Sequence, residues 1–278
     1  MLRQRILTAL VMLAVLLPAL FAQVTWPFDV LLIAALGAAG WEWARLNGLA
    51  GGSAIGFGVM LAIVCGGSLA VGWDHEAPRA AWLIATAVWV LGGAWAIRVG
   101  PQGWPKIVQS ARLGLGLIAL WVAWLALANA KAIGVNFLLS VFCLAWAADI
   151  GAYAGGRTFG RRKLAPAISP GKSWEGVASG MICVLVLSLV WIVIDRSVAV
   201  DSTSIYTRLF IRFGPGGMIA TVLFLDAMSV VGDLVESLVK RSAGAKDSSS
   251  LLPGHGGVLD RVDALLPLFP MALALISV

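Results

Sequence analysis

Charge is what this sequence has least of. Asp, Glu, Lys and Arg make up 12% of its 278 residues, about half the share found in water-soluble domains. That shortage excludes a chain whose surface is mostly solvated. Histidine is nearly absent, with two copies, and the three cysteines Cys65, Cys143 and Cys183 lie inside apolar runs without CxxC spacing. They imply neither a disulfide framework nor a zinc site, and read as small buried apolar residues. No Ser/Pro-rich linker, low-complexity tail or internal repeat divides the chain. One domain over 1–278 is expected.

What is present is apolar. The hydrophobic share is 60%, with 13 Trp and 32 Gly, and the mean hydropathy is +0.93. These values predict an all-α, polytopic integral membrane protein. Runs of about 17 to 25 apolar residues give nine candidate spans, near 5–22, 27–46, 51–73, 79–98, 112–130, 132–152, 176–195, 215–236 and 258–277. The first follows Arg3 and Arg5 and resembles a secretory signal, but Leu20 and Ala22 fit a cleavage site poorly, so an uncleaved helix is expected. With the N-terminus inside, 15 of the 20 basic residues fall on the cytoplasmic side, leaving Arg79, Lys131, Arg196, Arg208 and Arg212 outside. That bias predicts N-in, C-out. It also attributes the net charge of +6 to topology and anionic headgroups rather than to nucleic acid.

The scarce charges gather in Ser237–Asp263, SLVKRSAGAKDSSSLLPGHGGVLDRVD. A lipid-immersed chain keeps ionisable groups at membrane depth only where they face a cavity or do chemistry. Asp247, Asp260 and Asp263 offer hard oxygen ligands, and Lys240, Arg241, Lys246 and Arg261 offer charge for phosphates. The combination points to a metal-assisted polyphosphate site at a membrane. Upstream, Asp226, Asp233, Glu236 and Lys240 share one helix face, with Asp226 about 10 Å deeper than Asp233. Glu236 and Lys240 also fit a plain surface pair worth a few tenths of a kcal/mol. Asp233 has Ser237, not a cation, at i+4. Asp260 and Asp263 read either as helix-capping acids or, with Asp233, as a divalent-ion site. Mg²⁺ suits the second, since it uses one or two carboxylates plus substrate phosphates. The Pro253–Gly257 loop exposes the amides of Gly256 and Gly257 for close phosphate approach. His255 reads as a phosphate hydrogen-bonder, with general base the weaker role.

A second block carries Arg157, Arg161, Arg162, Lys163 and Lys172. Positive-inside charge accounts for Arg161 and Arg162. Lys172 stands instead in Ser169-Pro-Gly-Lys-Ser173 at a helix entry, where Ser173 can cap and phosphate can rest. A P-loop is excluded, because Pro166 occupies its first glycine position and no strand is expected before it. Gly114 and Gly116 read as helix packing. Asp149 and Tyr153, one turn apart, are placed to orient a ligand or meet the basic loop.

Both blocks resemble bacterial phosphatidate cytidylyltransferases, also called CDP-diacylglycerol synthases. The resemblance rests on Ser237, Lys240-Arg241, Lys246-Asp247, Pro253-Gly-His-Gly-Gly257, Asp260-Arg261 and Asp263, and on the run from Asp149 to Gly176. It departs at Ser248-Ser249-Ser250, where family members often carry Gly and Asn. Residues 1–130 then form N-terminal helices and 131–278 the catalytic helices and loops. The resemblance implies an inner-membrane enzyme joining CTP and phosphatidate with Mg²⁺, its site facing the cytoplasm. A monovalent cation and a homodimer are compatible with it. Asp233 and Asp260, helped by Asp247 and Asp263, are expected to hold Mg²⁺. The rivals are a CTP-dependent polyprenol or phytol kinase and a transporter, the latter disfavoured by the one-sided clustering of charge.

Overall fold

The computed structural model describes residues 2–277. It does not describe the side chains at positions 2, 3 and 5, so Arg3 and Arg5 of the orientation count lie outside the described residues. The helices are α1 (Leu2–Phe21), α2 (Trp26–Leu46), α3 (Gly51–Ala70), α4 (Arg79–Gly103), α5 (Gln109–Ile133), α6 (Val135–Phe159), α7 (Trp174–Ser197), α8 (Ile205–Ser242), α9 (Leu259–Val262) and α10 (Leu265–Ser277). Six of them are long and apolar enough to cross a membrane: α3, α4 with the turn after it, and α5 to α8. Exposed Leu, Ile, Val and Trp side chains cover much of the outer surface, as a lipid-facing all-α membrane protein requires.

Two predicted spans differ in shape. The run 215–236 belongs to a helix that begins at Ile205 and ends at Ser242, kinked at Gly214 with φ 68° before Pro215. α4 repeats the device at Gly100 (φ 71°) and Pro101. Proline bars its predecessor from the helical region, and glycine alone enters positive φ without cost. The run 258–277 is not one helix but the short α9 followed by α10. Pro267 supplies no N–H for the carbonyl of Asp263, which a continuous helix would need. Gly232 of α8 packs on that break, and a Cβ there would meet the Asp263 carbonyl oxygen at 2.5 Å.

A β-hairpin, unexpected from sequence, pairs β1 (Lys163–Ala165) with β2 (Ser169–Ser173) antiparallel. A strand, β1, does therefore precede this stretch, and Gly171-Lys172-Ser173 itself lies within β2, although Pro166 still excludes a P-loop. Cys65 is buried as expected, but Cys183 is exposed on α7. Gly116 packs on Trp43, whose ring a Cβ would enter.

α6 and α7 form the most extensive helix pair among the described residues. Glycines at i, i+4 on each make this possible. A Cβ on Gly151 would meet the Cys183 Sγ at 2.7 Å, and one on Gly176 or Gly180 would meet the Ala152 or Ala148 carbonyl at 2.8 Å. Small residues of this kind let membrane helices approach backbone to backbone.

Polar contacts collect at the two ends of the bundle. At one end Asn129 bonds Trp73, Lys131 bonds Leu20, and Asn136 bonds Asp195. At the other, Thr8 bonds Pro253, Asn47 meets Trp104, and Arg241 reaches Ile168. The hairpin and the Lys240–Asp263 segment share this second end.

Candidate active site

Ser173 caps α7, accepting from the Gly176 N–H at 3.1 Å from an extended backbone. β2 thereby holds Lys172 over α8, where its Nζ pairs with the Asp233 carboxylate. Asp233 also accepts from Ser237, at 3.2 Å. The acid without a cation at i+4 on its own helix thus finds one on a different element.

Lys240, at the end of α8, sits 2.5 Å from both Glu236 and Asp260. Glu236 is 2% exposed, so this pair is buried and not the solvated surface pair that its spacing also allowed. Asp260 has no free face. Its Oδ1 meets Lys240, while its Oδ2 accepts from the Ser248 N–H (2.9 Å), the Ser248 hydroxyl (2.7 Å) and the Gly257 N–H (2.7 Å). Burial pushes its carboxyl up, but Lys240 and these donors outweigh that and hold it at about 2. Asp263 behaves oppositely. Burial, then the charge of Asp233, pushes it up to about 7.

Asp149, exposed on α6, and Asp226, buried on α8, extend this acidic neighbourhood, electrostatically linked to Asp233 or Lys172. Asp226 is 1% exposed and neither carboxylate oxygen has a hydrogen-bond partner. Two of the acids, Asp233 and Asp260, already carry an ammonium group. Among the described residues no three His, Cys, Asp or Glu converge as a metal cluster. The donor set is nevertheless hard carboxylate oxygen, paired with cations, and it fits Mg²⁺, which needs one or two such ligands plus substrate phosphates.

Beside these acids lies an open cavity of about 510 Å³, lined by Lys246, Asp247, Ser249, Ser250, Leu252, Pro253, Gly254, His255, Gly256 and Arg261. Gly254 (φ 77°) and Gly256 (φ 82°) turn the loop, and a Cβ on Gly256 would meet Asp260 at 2.7 Å. The His255 Nδ1 is buried without a partner. Lys246 and Asp247 are exposed. The other expected phosphate contacts hold backbone here. Arg241 donates to Ile168 and Ala245 carbonyls, and Arg261 donates to the His255 carbonyl at 2.8 Å. Arg157 stands apart, exposed and hydrogen-bonded to the Tyr153 hydroxyl at 3.1 Å.

One residue escaped sequence reasoning. Glu42 of α2, fully buried, reaches the cavity loop from the opposite half of the chain. The only signal for it was an acid in the middle of an apolar run.

The chain aligns with the model of the cytidylyltransferase family over residues 3–278. It is 37% identical to the phosphatidate cytidylyltransferase of Pseudomonas aeruginosa over 285 residues, covering 99% of this chain and 97% of that protein. It is 51% identical to the protein of that name from Haemophilus influenzae over 137 residues, 49% of this chain and 44% of that one. A third, from Staphylococcus saprophyticus, is 36% identical over 166 residues, 59% of this chain and 55% of that protein. With the hairpin and the Lys240–Asp263 segment at one end of an apolar bundle and the match running nearly end to end, the chain belongs to the cytidylyltransferase family.

Proposed function

We propose that this chain is a phosphatidate cytidylyltransferase, making CDP-diacylglycerol and pyrophosphate from CTP and phosphatidate at a bacterial inner membrane. The observation that carries this reading is the cavity holding the cations Lys246 and Arg261, lined also by His255, abutting the acids of α8 and α9 at the end of a membrane bundle. A polyphosphate can be received from water there while a lipid phosphate arrives from the bilayer.

A phosphatidate phosphate oxygen attacks the α-phosphorus of CTP, a new P–O bond forms, and the bond to the β-phosphate oxygen breaks. The attacking oxygen is already an anion, so no residue has to remove a proton. The work is charge neutralisation and positioning. Lys246, Arg261 and the Gly256 amide would receive the triphosphate, with His255 donating a hydrogen bond; the Gly257 amide, expected from sequence to do the same, is buried and donates to Asp260 instead. Lys172 and Lys240 would exchange part of their hold on Asp233 and Asp260 for substrate oxygens. Asp233, Asp260 and Asp263, with Asp247 nearby, would hold Mg²⁺, which supplies charge neutralisation on the phosphates. An N-terminus and both motif blocks in the cytoplasm complete the proposal, placing the site where nucleotide triphosphates are found; the ninth expected span, 258–277, is too broken to count, since α10 has 13 residues.

The test is purified chain with phosphatidate, CTP labelled in the cytidine, and Mg²⁺. Labelled lipid together with pyrophosphate supports the reading. Free labelled CDP with a newly phosphorylated lipid would identify a kinase and overturn it.

A further inference from the structure

Glu42 makes the most intensive buried polar contact between the two halves of the molecule. Its Oε1 accepts from the Ser249 hydroxyl at 2.5 Å and the Val258 N–H at 3.0 Å. Its Oε2 accepts from the Leu259 N–H at 2.7 Å and the Ser248 hydroxyl at 3.1 Å. The partners lie 206 to 217 residues downstream. The carboxylate has no solvent exposure. Gly257 packs against it, and a Cβ at that position would collide with both Glu42 and Ser248.

These contacts end at the reacting region. The Ser248 hydroxyl has one hydrogen, and it lies between two carboxylates, Glu42 at 3.1 Å and Asp260 at 2.7 Å. Asp260 in turn binds Lys240. The Ser248 hydroxyl hydrogen serves one carboxylate at a time, so the tie from α2 to Asp260 rests on charge-assisted hydrogen bonds from the loop backbone: Glu42 holds the Val258 and Leu259 N–H groups next to Asp260, and the Ser248 N–H donates to Asp260. Such bonds are about twice as strong as neutral ones. Two of the three serines that depart from the family pattern, Ser248 and Ser249, are the ones that bind Glu42.

We propose that Glu42 is a positioning residue for cytidylyl transfer: through Ser248, Ser249 and the Val258 and Leu259 amides it sets the Pro253–Leu259 loop and the orientation of Asp260. The inference rests on the activity proposed above. It assigns the N-terminal helices a share in the chemistry, since α2 fixes the wall of the cavity that receives the triphosphate. Glu42 touches no substrate in this role.

Glu42→Gln keeps the shape, but its amide group must face at least one of the loop donors. Ser249→Ala removes one hydroxyl and leaves the backbone contacts. Both full-length variants, purified in detergent, are to be compared with wild type by amide hydrogen exchange and by kcat and KM for CTP. For Glu42→Gln, exchange at Val258 and Leu259 should rise at least about tenfold, with α6 and α7 unchanged. kcat should fall about 100-fold, the scale of a 1 Å misplacement, and Ser249→Ala should show a smaller loss in the same direction. A uniform rise in exchange with unchanged kcat per folded molecule would make Glu42 merely structural and overturn the proposal, as would wild-type loop exchange in Glu42→Gln. If that variant does not fold, unchanged loop exchange and unchanged kcat in Ser249→Ala overturn it instead. Wild-type chain that makes no CDP-diacylglycerol would refute the activity reading, while the exchange arm still decides whether Glu42 anchors the loop.

Discussion

Replacing Asp260 by Asn changes one oxygen to an amide nitrogen and leaves the side-chain volume intact. The carboxylate accepts from Lys240 on one oxygen and from three donors of Ser248 and Gly257 on the other. Whichever way the amide turns, its NH₂ faces donors, either the ammonium or the loop. Breaking a buried charge pair costs about 3–5 kcal/mol. Lys240 keeps Glu236 at 2.5 Å, so the low end applies, about 3 kcal/mol. Expressed in the transition state, that is a fall of about 100-fold in kcat/KM, and larger if a metal ligand is lost with it. Because Asp260 titrates at about 2, the loss should be constant from pH 6 to 9. The assay is CDP-diacylglycerol formation across that range at saturating Mg²⁺, alongside thermal unfolding to show that the helices persist. Turnover within a few-fold of wild type would refute both the metal assignment and the reasoning that ties Asp260 to the reacting phosphates.

Lys172→Ala should cost about 2–5 kcal/mol of transition-state stabilisation, since it strips the cation from Asp233, whereas Arg162→Ala, 81% exposed beside Glu175, should be mild; equal small losses would return Lys172 to a topological role. Gly180→Ala should destabilise by about 1–3 kcal/mol, because its Cβ would lie 2.8 Å from the Ala148 carbonyl, and an unchanged melting temperature would refute the close α6–α7 contact. Asp263, at about 7 when folded and about 3.9 when unfolded, holds its proton more tightly in the native state. Stability should therefore fall as pH rises from about 4 to about 7, and Asp263→Asn should flatten that slope in detergent melts. Cysteine placed at position 163 should resist an impermeant reagent on intact cells while one at 203 reacts, and the reverse pattern would invert the topology.

Membrane class, the positions of most helices and the residues of both motif blocks were legible in the sequence. Each depends on local chemistry: apolar runs long enough for a bilayer, and charges too costly to keep there without use. Ser173 as a cap and Gly116 as a packing residue were legible for the same reason, since their partners are set by local spacing or by size alone. The splitting of 258–277 was also written locally, in Pro267, but a long apolar run masks a missing N–H. The hairpin carried no comparable signal, because two strands of three and five residues around Pro166 and Pro170 are too short for periodicity to register. Tertiary structure alone decided which cation meets which acid. Lys172 reaches Asp233 and Lys240 reaches Asp260 because β2, α8 and α9 converge, and no spacing rule links positions 61 or 20 residues apart. Glu42 shows the limit most clearly: its four donors lie more than 200 residues away. A buried acid in an apolar helix signals a role, and only the fold says which groups it meets: of the two in α2, Glu42 meets four donors while the Asp29 carboxylate oxygens meet none.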